Sequence, residues 1–493
     1  MQSEVKNMDY DTLAVDVDGT LIRTDLLHES VFALLKLNPF YLFMLPLWLL
    51  KGKAHLKQMI ANRVDLPADL LPYREDFVEY LREEHAAGKT LVLATASNIR
   101  YATGIAEHLG LFSVVIGSNA TENMSGSRKL ANIKEQLGHD RFAYAGNSAV
   151  DLPIWAESLA AVLVSTPADV RKRAEKSCEI AREFPEERSL FKAFIRAIRP
   201  HQWLKNLLIF VPIFLVQRLS DPLSFHQAGM AFIAFSLCAS SVYLLNDMLD
   251  LASDRQHPTK RFRPFAAGDL PIIYGVLGMF GLLFASIVIA FALPPFFVGV
   301  LGLYYISTLA YSLWLKSSVL VDALMLAILY TLRLIAGAAA ISVVPSFWLL
   351  AFSMFIFLSL AFIKRYSELL AIDLEGSGRL IGRGYQAVDM ETVSQLGTAS
   401  GYLAVMVMAL YINSDKVYAQ YARPEALWLF CPLMLYWISR MWLLTRRGQM
   451  HDDPVVFTMK DKRTYLLAVI AVMAYLLARF WPAVRPLIPD YFA

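Results

Sequence analysis

The sequence predicts a mixed α/β domain followed by an all-α polytopic membrane domain of about nine transmembrane helices, each stretch having the roughly 20 apolar residues a bilayer requires. Three observations carry this. At 493 residues and 56% hydrophobic, the chain exceeds the size at which one soluble core keeps growing. Residues 1–199 alternate short apolar runs with charged, helix-like segments. Residues 200–493 contain repeated long apolar stretches instead.

In chain order, TLAVDV (12–17), TLVLATAS (90–97), SVVIGS (113–118), FAYAG (142–146) and AVLVS (161–165) are rich in Val, Leu and Ala. Segments such as REDFVEYLREEHAAGK separate them. Strands that are apolar on both faces and alternate with helices predict a mostly parallel sheet covered by helices. SLFKAFIRAIRPHQWLKN then mixes basic and aromatic residues at helical spacing, as an interfacial elbow feeding a membrane helix does. The predicted spans are about 204–218, 226–247, 270–292, 295–315, 319–341, 346–363, 397–413, 425–444 and 464–481. Domain boundaries follow at 1–190, a linker at 191–203, and 204–493.

Net charge is only +3, so a nucleic-acid partner is not expected and the placement of the cations matters more than their number. The three cysteines, Cys178, Cys238 and Cys431, are too few and scattered for a disulfide framework or a CxxC metal site. The acidic, polar start MQSEVKNMDYD has no apolar signal segment behind it, which predicts a first domain folded in the cytoplasm. With that end inside, the inner loops hold Arg255, Lys260, Arg261, Arg263, Lys316, Lys364, Arg365, Arg379, Arg383, Arg446, Arg447, Lys460, Lys462 and Arg463. The outer segments hold only Arg218, Lys416, Arg423 and Arg485. This asymmetry follows the positive-inside rule and predicts a multi-pass protein of the inner (plasma) membrane with its C-terminus outside. A homo-oligomer is compatible with all of this.

DVDGT, Asp16 to Thr20, leaves the first strand with two carboxylates that face the crevice at the sheet's C-terminal edge. Thr95 and Ser97 end another strand, Lys129 precedes a helix, and Asn147 and Asp151 follow FAYAG. In this order the residues resemble the haloacid dehalogenase (HAD) superfamily of phosphatases, with a Rossmann-like α/β fold, over residues 9 to about 185. The resemblance implies that Asp16 is the nucleophile forming an aspartyl-phosphate and Asp18 the acid/base. It also implies that Thr95, Ser97 and Lys129 hold phosphoryl oxygens, and that Mg²⁺ is bound by Asp16, the Asp18 carbonyl and Asp151. Asn147 departs from the family, which has Asp there, and removes one negative charge from the metal shell.

Between the first two motifs, at about 26–88, lies the place where this superfamily inserts a cap. Within it SVFALLKLNPFYLFMLPLWLLKGK (30–53) is apolar enough to suggest a span. Spanning would separate Asp16 from Thr95 across the bilayer, so it is read as a cap. Two alternatives stand: a cap helix buried on the core, or a cap that dips into the interface and admits a lipid-linked phosphate.

NDMLDLASDRQHPTKRFRP (246–264) begins where a long apolar run ends. Asp247, Asp250 and Asp254 stand at i, i+3 and i+7, on one helical face flanked by Asn246. Three unpaired carboxylates cannot sit in lipid, so they must share a cation; Mg²⁺ takes carboxylate oxygens and bridges them to a diphosphate. Arg255, Lys260, Arg261 and Arg263 follow, to collect the remaining anionic oxygens. Over about 200–485 these residues resemble the UbiA superfamily of intramembrane prenyltransferases, whose first signature is NDxxDxxxD. The family's second signature, DxxxD, is not intact: Asp322 is followed by Leu326.

HPTKRFRP, LKSSVLVD (315–322), Arg333 in an apolar helix and KRYSEL (364–369) resemble the decaprenyl-phosphate phosphoribosyltransferase branch. That branch implies phosphoribosyl diphosphate as donor, a polyprenyl phosphate as acceptor, and one Mg²⁺ on Asp247, Asp250 and Asp254 besides the one in the HAD domain. Lys316, Lys364, Arg365, Asp322 and Arg333 join the substrate-binding set; for Arg333, mid-helix, the default is a functional role or a pairing with Asp322. Lys205 is equally a snorkelling or a substrate-contacting residue, and Glu368 an orienter or a helix-surface residue. The fusion suggests successive steps: phosphoribosyl transfer, then removal of the 5-phosphate by the HAD domain. The alternative is transfer of a polyprenyl group to an aromatic acceptor, with a regulatory HAD domain.

Overall fold

A computed structural model describes residues 10–186, 188–216, 218, 220–375, 383–450 and 453–484, the side chains of 372–375 and 482–484 excepted. The chain forms two compact units, residues 1–200 with 243–281 and residues 201–242 with 282–493. Arg379 and Arg485 of the charge-asymmetry reading lie outside the described residues.

The first unit is built on a six-stranded parallel sheet in the order β3-β2-β1-β4-β5-β6. Its strands are β1 (Thr12–Val15), β2 (Thr90–Asn98), β3 (Val114–Ser118), β4 (Ala143–Gly146), β5 (Ala160–Val164) and β6 (Glu179–Phe184). β1 and β4 are central, side by side, and buried throughout, which is why both read as unbroken apolar runs. β6 escapes the sequence reading because it is an edge strand that carries Glu179, Arg182 and Glu183, charges that discourage pairing with another chain. The order reverses between β1 and β4, so the loops after these two strands open the crevice that holds a ligand in such folds.

The segment between β1 and β2 supplies α1 (Leu26–Leu37), α2 (Tyr41–Leu50) and α3 (Lys53–Ala61). Asp25 caps α1 by accepting the His28 N–H at 3.0 Å. α2 is ten residues long, about 15 Å by helical rise, and does not span a bilayer. Trp48 is buried under the Arg63 guanidinium, 4.9 Å from its ring centre, while Phe43, Leu47 and Leu50 remain exposed. The cap is therefore partly buried and partly an exposed apolar surface.

Among the described residues, eight helices are long and apolar enough to cross a membrane, the first Pro222–Leu249 and the last Lys462–Trp481. The first predicted span, 204–218, is corrected in its helix type: it is a 3₁₀ helix, Pro200–Phe210, followed by the short α-helix Val211–Leu215. Pro212 has no N–H to give to the carbonyl four residues back, which prevents one continuous α-helix. The segment still runs antiparallel along Pro222–Leu249. Trp203 donates to Ser240 Oγ and Asn206 to Ser236 Oγ, both at 2.9 Å, and Phe210 packs 5.8 Å from Phe232. Gly337 of Val321–Ala340 lets the same segment approach that helix closely, since a Cβ there would lie 2.0 Å from the Ile209 carbonyl oxygen.

Candidate active sites

In the first unit the loop after β1 brings Asp16 and Asp18 to the switch point. Lys129 Nζ lies 2.7 Å from Asp16 Oδ1 and 3.9 Å from Asp151 Oδ1, so two carboxylates from β1 and the loop after β4 converge on one buried ammonium. Burial alone would lower the Lys129 pKa, but Asp16 and Asp151 raise it, and the lysine stays charged. Tyr144 donates to Asp151 Oδ1 at 2.9 Å, and the Asn147 N–H, Ser148 N–H and Ser148 hydroxyl fill Asp151 Oδ2. Asp151 is thereby fixed in place before any ligand arrives.

Asp18 accepts from Ser97 Oγ at 2.6 Å and from the Leu26 N–H, the first of α1, at 2.8 Å. Thr95 Oγ1 approaches it at 3.4 Å. Burial pushes the Asp18 carboxyl up to about 7, reinforced by Asp25 and Asp16. Burial likewise raises Asp16 to about 6, against the pull of Lys129. One carboxylate mostly ionised beside another that is half protonated at neutral pH suits a nucleophile paired with a general acid. All the predicted phosphatase residues thus share one site. Lys57 of α3 and Tyr144 were missed. Lys57 donates to the Ala96 carbonyl at 2.5 Å and to Asn123 Oδ1 at 2.7 Å, at the end of β2 beside Ser97. Nothing in its local sequence distinguishes it from a solvated lysine.

The NDMLDLASD segment belongs to the same unit. Its helix is not continuous: Pro222–Leu249 ends, Asp250 stands at the joint with φ −101° and ψ 15°, and Leu251–Gln256 begins anew. Asp247 and Asp254 keep a common side, because Arg263 Nη1 reaches Asp254 at 2.6 Å and Asp247 at 3.2 Å. Burial raises the Asp254 pKa, and Arg263 opposes it. Asp250 instead meets Lys36 of α1 at 2.9 Å. Arg199, which the sequence reading left out, also pairs with Asp247. Its signal was its position in the basic elbow, one residue before Pro200. Arg255, expected at a substrate, is engaged by Glu29 of α1 and by the Ala266 carbonyl. Lys260 and Arg261 are exposed on the loop that follows.

In the second unit Asp322 is fully buried and carries three partners. Arg365 Nε is at 2.5 Å, Arg383 Nη1 at 3.3 Å, and the Tyr385 hydroxyl donates at 2.7 Å. The expected Arg333–Asp322 pair is corrected: Arg333 donates to Asn206 Oδ1 at 2.9 Å and to the Leu329 carbonyl, with the Tyr304 ring beneath it. Asp322 stands at the start of Val321–Ala340 and Arg333 about three turns further along it, whereas Arg365 of Phe347–Glu375 packs directly against Asp322. Glu368 faces Arg365 and Arg383, so it is no plain surface residue. Lys205 and Lys364 share Asp453, at 2.8 and 3.3 Å. Despite burial, the two lysines hold the Asp453 carboxyl well below the usual range. Asp453, Tyr385 and Arg383 were absent from the candidate site because their partners lie more than 60 residues away in sequence. Lys316 is half-buried in the turn Leu315–Ser317.

Residues 207–460 match the UbiA prenyltransferase family. The chain belongs to that family. Ahead of its UbiA domain, residues 13–155 match haloacid dehalogenase-like hydrolases, so an HAD-like domain precedes a multi-pass membrane domain, and the chain is an enzyme. It is 36% identical to the uncharacterized protein y4nM of Sinorhizobium fredii over 97% of this chain and 94% of that one. It is 30% identical to the decaprenyl-phosphate phosphoribosyltransferase of Mycobacterium tuberculosis, over 57% of this chain and 92% of that one. A UbiA homologue from Archaeoglobus fulgidus, solved with DMAPP and Mg²⁺, aligns with a TM-score of 0.45 at 15% identity, over 57% of this chain and 96% of that one.

Mg²⁺ is general to both families, and the donors present fit it. Asp247 Oδ2 and Asn246 Oδ1 of the UbiA signature are buried without a hydrogen-bond partner. Such orphaned oxygens are costly unless a cation or water meets them. In the HAD-like domain, Asp16 and Asp151 already converge on a positive charge. Among the described residues no three His, Cys, Asp or Glu side chains close on one point, so a bound Mg²⁺ would need water and substrate oxygens besides these carboxylates, as is usual for that ion.

Proposed function

We propose that this chain is a two-step membrane enzyme. Its UbiA domain transfers 5-phosphoribosyl from phosphoribosyl diphosphate to a polyprenyl phosphate, and its HAD-like domain removes the 5-phosphate of the lipid-linked product. The observation that carries the reading is that one compact unit contains both the DVDGT carboxylates and the Asp247–Arg263 segment. The likeness to a decaprenyl-phosphate phosphoribosyltransferase supports the donor.

In the first step an oxygen of the lipid phosphate attacks ribose C1, and the bond from C1 to the pyrophosphate oxygen breaks. Mg²⁺, when bound by the aspartates of either domain, supplies positive charge to the phosphoryl oxygens. Asn246, Asp247, Asp250 and Asp254 would hold it in the UbiA domain, and Asp16, the Asp18 carbonyl and Asp151 in the HAD-like domain. Arg263, now shared by Asp247 and Asp254, exchanges carboxylate for pyrophosphate oxygens, joined by Lys260 and Arg261. Taken by itself, the second unit offers Lys205, Lys364, Arg365 and Lys316 as cations suited to phosphate oxygens. Asp453 and Asp322 keep them oriented and charged.

In the second step Asp16 attacks the 5-phosphate, and the bond from phosphorus to the ribose O5 breaks as Asp18 protonates that oxygen. Water then attacks the phosphorus of the aspartyl-phosphate, giving its proton to Asp18 and freeing Asp16 and inorganic phosphate. Lys129, Thr95 and Ser97 hold the phosphoryl oxygens throughout.

Both sites face the cytoplasm in this reading, with the C-terminus outside the plasma membrane. It counts Pro200–Leu215 as the ninth crossing: eleven 3₁₀ residues and five α residues measure about 30 Å by their rises, the thickness of the hydrocarbon core.

Mass spectrometry of lipids from membranes given phosphoribosyl diphosphate and polyprenyl phosphate tests the proposal. Wild type yields the dephosphorylated ribosyl lipid and phosphate, whereas Asp16→Asn stops at the 5-phosphoribosyl lipid. Dephosphorylated lipid from both removes the HAD step, and product only from a polyprenyl diphosphate and an aromatic acceptor replaces the donor. Asp322 argues against that second donor, since three neighbouring groups already occupy it and Leu326 stands where the second carboxylate would be.

A further inference from the structure

α1 connects two aspartate sites. Its first residue, Leu26, donates its N–H to Asp18, and Lys36 in its last turn pairs with Asp250. Twelve residues at about 1.5 Å each put these ends about 18 Å apart. Glu29, Ala33, Lys36 and Leu37 recur at i, i+4, i+7 and i+8, which makes them one face of the helix. That face lines a cavity of about 500 Å³, walled opposite by Leu66 of the cap, by Leu249 at the end of Pro222–Leu249 and by Leu251 at the start of Leu251–Gln256. The size is that of a ligand site, and its open, mostly apolar walls would gain contacts and shed water on receiving an apolar occupant.

Two features identify the occupant. The wall ends at Leu249, the last residue of a membrane-spanning helix, and the adjoining α2 exposes Phe43, Leu47 and Leu50. Of the cations in this cavity, Lys36 is paired with Asp250 and Arg255 with Glu29, while Arg63 meets the Met59 carbonyl and the Trp48 ring and can turn to an anion. Apolar walls with an arginine at their edge, next to the end of a membrane helix, match an isoprenoid lipid with an anionic head.

We propose that this cavity holds the first isoprene units of a lipid-linked phosphosugar while its head passes along α1 from the Asp247–Arg263 segment to Asp16. The proposal rests on the two-step reading. It adds that the intermediate moves along the protein without returning to free lipid. The head needs to move only about the length of a three-turn helix, while the tail remains in apolar surroundings.

The test uses the full chain in nanodiscs and a polyisoprenyl phosphate with a diazirine in its first isoprene unit. Photo-adducts on residues 29–37, 63–71 or 248–255, competed by unlabelled polyisoprenyl phosphate, are expected. Adducts confined to 282–484 overturn the proposal. In a second arm, Ala33→Trp and Leu66→Trp each fill the cavity, and hydrolysis of the lipid-linked phosphosugar should fall at least tenfold relative to hydrolysis of a soluble phosphomonoester. An unchanged ratio in both variants overturns it as well. Should wild type not hydrolyse the lipid-linked phosphosugar at all, the two-step reading fails on its own, and the adduct map still decides the cavity's ligand.

Discussion

Lys36 Nζ stands 2.9 Å from Asp250 Oδ1, an ion pair between the cap of the HAD-like domain and the UbiA signature. Lys36 is 44% exposed on its side chain, so the pair contributes under about 1 kcal/mol to stability. Its consequence is competition, because Asp250 cannot give the same oxygen to Lys36 and to a metal. Lys36→Gln is expected to leave the melting temperature nearly unchanged and to lower the Mg²⁺ concentration for half-maximal phosphoribosyl transfer. A rise in that concentration would count against Asp250 as a metal ligand.

The acid pair of the HAD-like domain sets a pH window. Asp16 must be ionised and Asp18 protonated, so hydrolysis rises through about 6 and falls above about 7. Bound Mg²⁺ moves the acidic limb lower. Asp25 raises Asp18 by like charge, so Asp25→Asn, which retains the α1 cap, should move the basic limb to lower pH. A pH profile of kcat/KM checks the direction. For stability the sign is opposite to the usual carboxylate. Both folded values exceed the unfolded value near 3.9, so this stabilising contribution is complete below about pH 4 and is lost as pH rises through 6 to 7.

Asn147 lies against the DVDGT loop, where a Cβ on Gly19 would come within 2.1 Å of its amide nitrogen. Gly19 also has φ +77°, which a side chain disfavours. Asn147→Asp returns a negative charge to this position. It is expected to reduce the Mg²⁺ needed for half-maximal phosphomonoester hydrolysis, read by titrating the metal at fixed substrate.

Asp322 is expected to be the most sensitive position of the second unit. Asp322→Asn leaves the buried Arg365 with Glu368 as its one remaining carboxylate partner, so the loss should approach but stay below the about 3–5 kcal/mol of fully breaking a buried pair. The melting temperature in detergent should drop sharply. Tyr385→Phe removes a hydroxyl that donates to Asp322 and accepts the Leu320 N–H, and should lose a smaller amount, about 1 kcal/mol.

Much of this was legible because it is local. Period and burial make β1 to β5 visible as apolar runs, and DVDGT and NDMLDLASD each bring their carboxylates together within a few residues. What escaped was non-local or broke a pattern. β6 is a charged edge, Pro212 turns a predicted α-span into 3₁₀ helix, and Asp453, Tyr385 and Lys57 gain meaning only through partners distant in sequence.

The sequence alone determined the two domain classes and the residue types of both sites, because hydropathy period and short motifs are properties of neighbouring residues. Tertiary structure decided the pairing. Arg365 rather than Arg333 meets Asp322, Arg255 meets Glu29, and one helix runs from Asp18 to Asp250. Those choices depend on which charges the packed chain brings within about 4 Å of each other, because a charge buried without a partner costs far more than one buried with it.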